Sequence, residues 1–192
     1  ALHVDHGLRG DSHADAEFVA ELANELDVPF ECLQVKLAEG NRQREARTAR
    51  YAALAQAAQR HGCRFVATGH TATDQAETVL MHLIRGSGLR GLAGMDVRRM
   101  LTRHVELVRP LLAVPRDELL AYAQANGLTW VEDPSNTELI YRRNRLRHQV
   151  IPLLTDIFPG FKRNVLRNAE IARGQAESGA PQIDPPLSAS FD

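Results

Sequence analysis

Cysteine is nearly absent. The 192 residues hold two, Cys32 and Cys63, which form no CxxC pair. A disulfide framework or a zinc site is therefore not expected, and no metal ligands are assigned. A reducing, cytoplasmic setting is the default. Long apolar runs are missing as well. None approaches the roughly 18 to 20 residues of a membrane span, so no membrane partner is expected. The chain has no basic-then-apolar leader and no initiator methionine. It opens directly on Ala1-Leu2-His3-Val4-Asp5, which reads as a buried strand, so the natural protein is expected to begin further upstream. What is present is a globular composition: 44% hydrophobic and 24% charged residues, enough chain for one core domain and a small appendage.

The net charge of −1 hides an asymmetry. Residues 1–41 carry nine acidic residues against Arg9 and Lys36, while residues 142–173 carry eight basic residues against Asp156 and Glu170. A basic end of this kind suits a polyanion, and it equally suits a solvated helix face.

Strand and helix alternate along the first half. Strands are expected at 1–5, 30–35 and 64–69, and helices at 12–27, 43–60 and 74–85. This order implies an α/β fold with a parallel sheet and crossover helices. After residue 86 the pattern loosens. An extended piece at 104–109 and a helix at 116–126 lead to the turn residues Glu132-Asp133-Pro134-Ser135-Asn136. Two basic helices follow at about 141–157 and 161–177. The expected division is a catalytic domain over 1–140, a basic helical subdomain over 141–177 and a disordered tail over 178–192.

Ligands of open parallel sheets bind beyond the carboxyl ends of the strands. His3-Val4-Asp5-His6-Gly7 and Ala67-Thr68-Gly69-His70 stand at such ends. His3, Asp5 and His6 are poorly placed for a metal, because His3 and Asp5 share a strand face and His6 follows at the turn. On the next helix Ala76, Val79, Leu80, Leu83 and Ile84 make the apolar stripe, and Asp74 and Glu77 lie off it. Pattern alone reads the two acids first as Asp74 capping the helix with Glu77 as its partner. The other reading is a carboxylate pair for a cationic substrate, or for a metal bound to phosphates. Arg50 interrupts the small-residue stripe Ala46, Ala49, Ala53 and Ala57, where a charge needs a partner, a route to solvent, or an anionic ligand such as phosphate. Gly86-Ser87-Gly88-Leu89-Arg90-Gly91 matches GxGxxG but follows a helix instead of a strand, so it reads as a flexible loop. Arg142, Arg143, Arg145 and Arg147 have the density that phosphate contacts need.

Taken in order, several motifs resemble the tRNA(Ile)-lysidine synthases. They are His3-Val4-Asp5-His6-Gly7-Leu8-Arg9-Gly10, Ala46-Arg47 with Arg50-Tyr51, and Gly69-His70 with Asp74-Gln75-Ala76-Glu77-Thr78. Arg85-Gly86-Ser87-Gly88, Arg109-Pro110-Leu111-Leu112, Trp130-Val131-Glu132-Asp133-Pro134-Ser135-Asn136 and Arg143-Asn144-Arg145-Leu146-Arg147-His148 continue the series. The resemblance covers roughly residues 1–175. It implies the adenine-nucleotide alpha-hydrolase-like, Rossmann-like domain of the N-type ATP-pyrophosphatases, N-terminally truncated and followed by a small helical appendage.

The resemblance also implies a reaction. ATP and magnesium adenylate C2 of the wobble cytidine of tRNA(Ile) with a CAU anticodon, and free L-lysine displaces AMP. His70, Asp74, Glu77 and Arg50 would be the catalytic set. Val4, Asp5, His6, Thr68 and Gly69 would contact the nucleotide, and Arg142, Arg143, Arg145 and Arg147 the tRNA. A homodimer is left open. Two departures stand out. Thr73 replaces the first of two adjacent acids, and the family's Ser-Gly-Gly-x-Asp-Ser loop is not in the sequence. The supplied chain alone is therefore expected to be inactive. The alternatives are a related PP-loop tRNA thiolase or amidotransferase, and a non-catalytic RNA-binding remnant. Thiolases typically rely on reactive, often paired cysteines, and Cys32 and Cys63 sit outside the motifs.

Overall fold

The computed structural model describes residues 1–5, 12–35 and 42–179. His6, the 7–10 part of the opening motif and most of the expected tail, 180–192, lie outside the described residues. The chain divides into two compact units. The first comprises Ala1–Thr68 and Arg98–Val108, and the second Gly69–Val97 with Arg109 onward. The division expected at residue 140 runs through the second unit.

The first unit holds the strands. β1 (Leu2–Asp5) pairs in parallel with β2 (Glu31–Gln34), with Leu2 opposite Glu31 and Asp5 opposite Gln34. Between them runs α1 (Ser12–Glu25). Helix α2 (Arg42–Arg60) leads to β3 (Phe65–Ala67). β3 pairs in parallel with β5 (Glu106–Val108), and β5 pairs antiparallel with β4 (Arg98–Met100). The sheet order is β3-β5-β4, which puts β5 in the middle. Its Leu107 and the adjacent Val105 are accordingly buried and pack with Tyr51, Ala58 and Val66, and with Leu54 and Leu101 at the margin.

Two expectations change in this unit. β4 was not expected, because Arg98-Arg99-Met100 has no apolar alternation, and all three residues are exposed. It is a strand by virtue of its partner, reinforced by the Arg98 guanidinium donating twice to Glu106 at 2.8 and 2.7 Å. The buried stripe of α2 is Tyr51, Ala55 and Ala58 with Ala57, while Ala46, Ala49 and Ala53 are only half-buried. The large ring of Tyr51 offers more apolar area than any alanine and turns the helix toward it. Arg50 consequently borders the stripe.

The second unit is helical. It contains α3 (Ala72–Ile84), α4 (Leu89–Leu92), α5 (Arg116–Ala125), a 3₁₀ turn (Pro134–Thr137) and α6 (Arg142–Arg145). Five residues of π-helix (Leu146–Val150) follow, then α7 (Ile151–Ile157) and α8 (Phe161–Glu177). Leu80, Leu146 and Ile151 form its core with Met81 and Phe161. On α3, Ala76, Val79 and Leu80 are buried as expected, but Leu83 and Ile84 at the end are 57% and 70% exposed. The GxGxxG segment is only partly a loop, since Leu89–Leu92 winds into α4.

Candidate functional site

The start of α3 is built by a threonine. Thr71 is extended (φ −112°, ψ 174°), and its hydroxyl accepts from the Asp74 N–H at 3.4 Å. The Asp74 carboxylate in return accepts from the Thr71 N–H at 2.8 Å and from its hydroxyl at 2.9 Å. This is a complete capping box, one turn earlier than expected. Asp74 is the acid partner of the cap, and Glu77 takes no part in capping. The Ala72 N–H, which has no intrahelical partner in this first turn, donates to the Val114 carbonyl at 3.0 Å.

Glu77 is 0% exposed. A buried carboxylate needs counter-charge, and two arginines supply it. Arg143 Nε donates to Glu77 Oε2 at 2.5 Å, and Arg147 Nε donates to Glu77 Oε1 at 2.6 Å. The same guanidiniums reach Asp74 Oδ1 at 3.0 and 3.3 Å. Burial works against ionisation of Asp74. The Thr71 hydrogen bonds and then the charges of Arg143 and Arg147 outweigh it and hold the carboxyl below its ordinary value. Burial likewise disfavours the Arg147 cation, while Glu77 and Asp74 stabilise it and raise its pKa.

The four expected tRNA arginines therefore separate. Arg143 and Arg147, four apart, turn onto the acids, whereas Arg142 and Arg145 are exposed. The spacing of four was the available signal, and a count of charges passed over it. Of the remaining expected residues, His70 is half-buried just before the cap and Gly69 is exposed. In the first unit, Val4 and Asp5 are half-buried at the end of β1, and the half-buried Thr68 bonds through its N–H to the Val108 carbonyl at 3.0 Å. Arg50 is half-buried, with its guanidinium 5.7 Å from the Tyr51 ring centre. Arg47 and Arg99 lie over the same ring at 5.2 and 5.0 Å. Cys32 and Cys63 are exposed and unbonded to one another.

One supporting group was missed. Gln75, buried beside Asp74, donates to the carbonyls of Ala93 and Met95 at 3.2 and 3.1 Å and accepts from the Met95 N–H at 2.7 Å. Arg173 of α8 donates to the same two carbonyls at 2.8 and 3.0 Å. Gly94 lies between them at φ +70°, and a Cβ there would meet the Gln75 amide at 2.7 Å. The 93–95 turn is thereby clamped to both α3 and α8.

The model of the PP-loop domain family matches residues 1–154, and the chain belongs to that family. It is similar to the tRNA(Ile)-lysidine synthase of Symbiobacterium thermophilum, 46% identical over 82% of this chain and 34% of that protein. The Solibacter usitatus protein of the same name is 42% identical over 95% of this chain and 41% of its own length. The chain thus spans well under half the length of these relatives. Among solved structures it resembles the U34-tRNA thiolase NcsA from Methanococcus maripaludis with its [4Fe-4S] cluster. The TM-score is 0.73, with 22% identity over 90% of this chain and 61% of that one, a likeness of fold alone.

Proposed function

We propose, on the premise of the PP-loop domain, that this chain is the catalytic part of a cytoplasmic tRNA(Ile)-lysidine synthase. The reaction has two steps. The C2 oxygen of the wobble cytidine attacks the α-phosphate of ATP, pyrophosphate leaves, and the base is adenylated. The lysine ε-amine, having lost a proton, then attacks C2, and AMP leaves with the oxygen.

The observation that carries the reading is the pair of acids at the start of α3. Two carboxylates stand together there, and the Thr71 hydrogen bonds and the two arginines hold Asp74 below its ordinary pKa, so the pair suits a cationic substrate. His70 adjoins them. Arg50, in the first unit, supplies a cation suited to phosphate or the adenylate. Val4 and Asp5 end β1 and Thr68 follows β3, at strand ends where the nucleotide would bind, and His6 and Gly69 come next in the sequence. Exposed Arg142 and Arg145 suit the tRNA backbone. Magnesium fits this pair of acids poorly, because two guanidiniums already neutralise them. No cluster of three metal-ligating side chains occurs among the described residues.

The test uses the full-length protein with tRNA(Ile) bearing a CAU anticodon, ATP and radiolabelled lysine. Label is expected in the tRNA, and its absence refutes the reading. Glu77→Gln and Asp74→Asn should each abolish transfer. Unchanged turnover in both would leave the acids with a structural role alone.

A further inference from the structure

The acids and arginines at the start of α3 form a charge-balanced set. Two carboxylates face two guanidiniums, and Glu77 has no surface open to solvent. An added ammonium would find no net field there and no free face of Glu77. If the acids bind lysine, as the proposed function holds, one guanidinium has to leave first.

We propose that Arg143 is that group: it occupies the place of the substrate ammonium, and an RNA backbone phosphate draws it away. The two arginines are held differently. Arg147 grips both oxygens of Glu77, at 2.6 and 3.2 Å, reaches Asp74 Oδ1 at 3.3 Å, and its side chain is 22% exposed. Arg143 spans the two acids, with Nε on Glu77 and Nη2 on the side-chain and main-chain oxygens of Asp74 at 3.0 and 3.4 Å, and its side chain is 39% exposed. Both guanidiniums bridge the acids, as a bound ammonium would, but Arg143 makes one contact with Glu77 where Arg147 makes two, and it has the wider route to solvent. A phosphate offers a guanidinium the same forked, charge-assisted geometry as a carboxylate. Exposed Arg142 and Arg145 flank it and would bring the RNA backbone close. Arg143 also sits in a four-residue helix that runs directly into π-helix, a winding that rearranges more easily than a long α-helix. The exchange couples the two substrates, because the carboxylates open to lysine when RNA takes Arg143. No bond is made or broken in it.

The experiment measures L-lysine binding to the full-length protein by calorimetry, with and without transcribed tRNA(Ile). Wild type should bind lysine weakly without RNA. Arg143→Gln should bind it about ten- to a hundredfold more tightly without RNA, the gain expected when a state populated at about 1 to 10% becomes the resting one. Adding Glu77→Gln to that variant should remove the gain. Arg143→Lys, whose single ammonium cannot fork across both acids, should shift affinity in the same direction by less, and it serves if Arg143→Gln fails to fold. Unchanged or weaker lysine binding in folded Arg143 variants overturns the inference, as does equally tight binding by wild type with and without RNA. No binding in any arm, with RNA and ATP present, overturns the proposed function itself.

Discussion

Each unit gathers arginines, and the two gatherings are unlike. In the first, Arg47, Arg50 and Arg99 surround the ring of Tyr51 at 5.0 to 5.7 Å. In the second, Arg143 and Arg147 are fixed on Asp74 and Glu77 at 2.5 to 3.3 Å. A ring attracts a cation through its quadrupole, worth about 0.5–1 kcal/mol at an exposed site and leaving the charge uncancelled. A buried carboxylate cancels it, and losing one partner of such a pair costs several times as much. The same residue type therefore lies over a ring in one unit and serves as an internal counter-ion in the other. The neighbour decides which.

The largest expected effect breaks the second cluster. Glu77→Gln leaves two guanidiniums facing an amide. Because both arginines keep some exposure, the cost should be about 3 kcal/mol, at the low end for breaking a buried pair, read as a lowered midpoint in urea unfolding.

Acid should act on the same cluster. The folded pKa of Asp74 is depressed. Its stabilising contribution is then fully present above the unfolded value of about 3.9 and is lost as pH falls through the lower folded value. The difference in stability between wild type and Asp74→Asn should therefore shrink below about pH 4. A difference that stays constant with pH would show that the carboxylate's charge contributes nothing.

The first cluster should respond less. Arg99→Ala should cost about 0.5 kcal/mol in thermal unfolding, since one exposed guanidinium over a ring is worth little more. The smallest effect is expected at Tyr51 itself. Its hydroxyl is buried with no hydrogen-bond partner among the described residues. Tyr51→Phe should thus be neutral or slightly stabilising. A clear loss of stability would mean that the hydroxyl has a partner in solution, and it would sharpen the case for an anion beside Arg50.

Much of the fold was legible. β1, β2, β3 and the helices α1, α2, α3 and α5 lie within two or three residues of their expected positions, because each carries its own apolar period and its own stop signals. β4 was not legible. Its three exposed residues carry no period, and only the pairing with β5 makes them a strand. The site was legible in part. Asp74 and Glu77 stood out as a pair off the apolar stripe. The cap was misplaced by a turn, because Thr71 and Asp74 are equally good caps on paper. The reciprocal bonds between Thr71 and Asp74 make Thr71 the cap.

The sequence by itself determined the order of elements, the motif series that marks the PP-loop family, and the presence of two acids beside a basic run. Those are properties of spacing and residue type, which the chain carries locally. Only the tertiary structure decided that Glu77 is buried, that Gln75 and Arg173 clamp one turn, and that of four adjacent arginines two face inward. Each of these depends on segments some 18 to 80 residues apart meeting in space, and burial turns a mobile surface charge into one that must find its counter-charge.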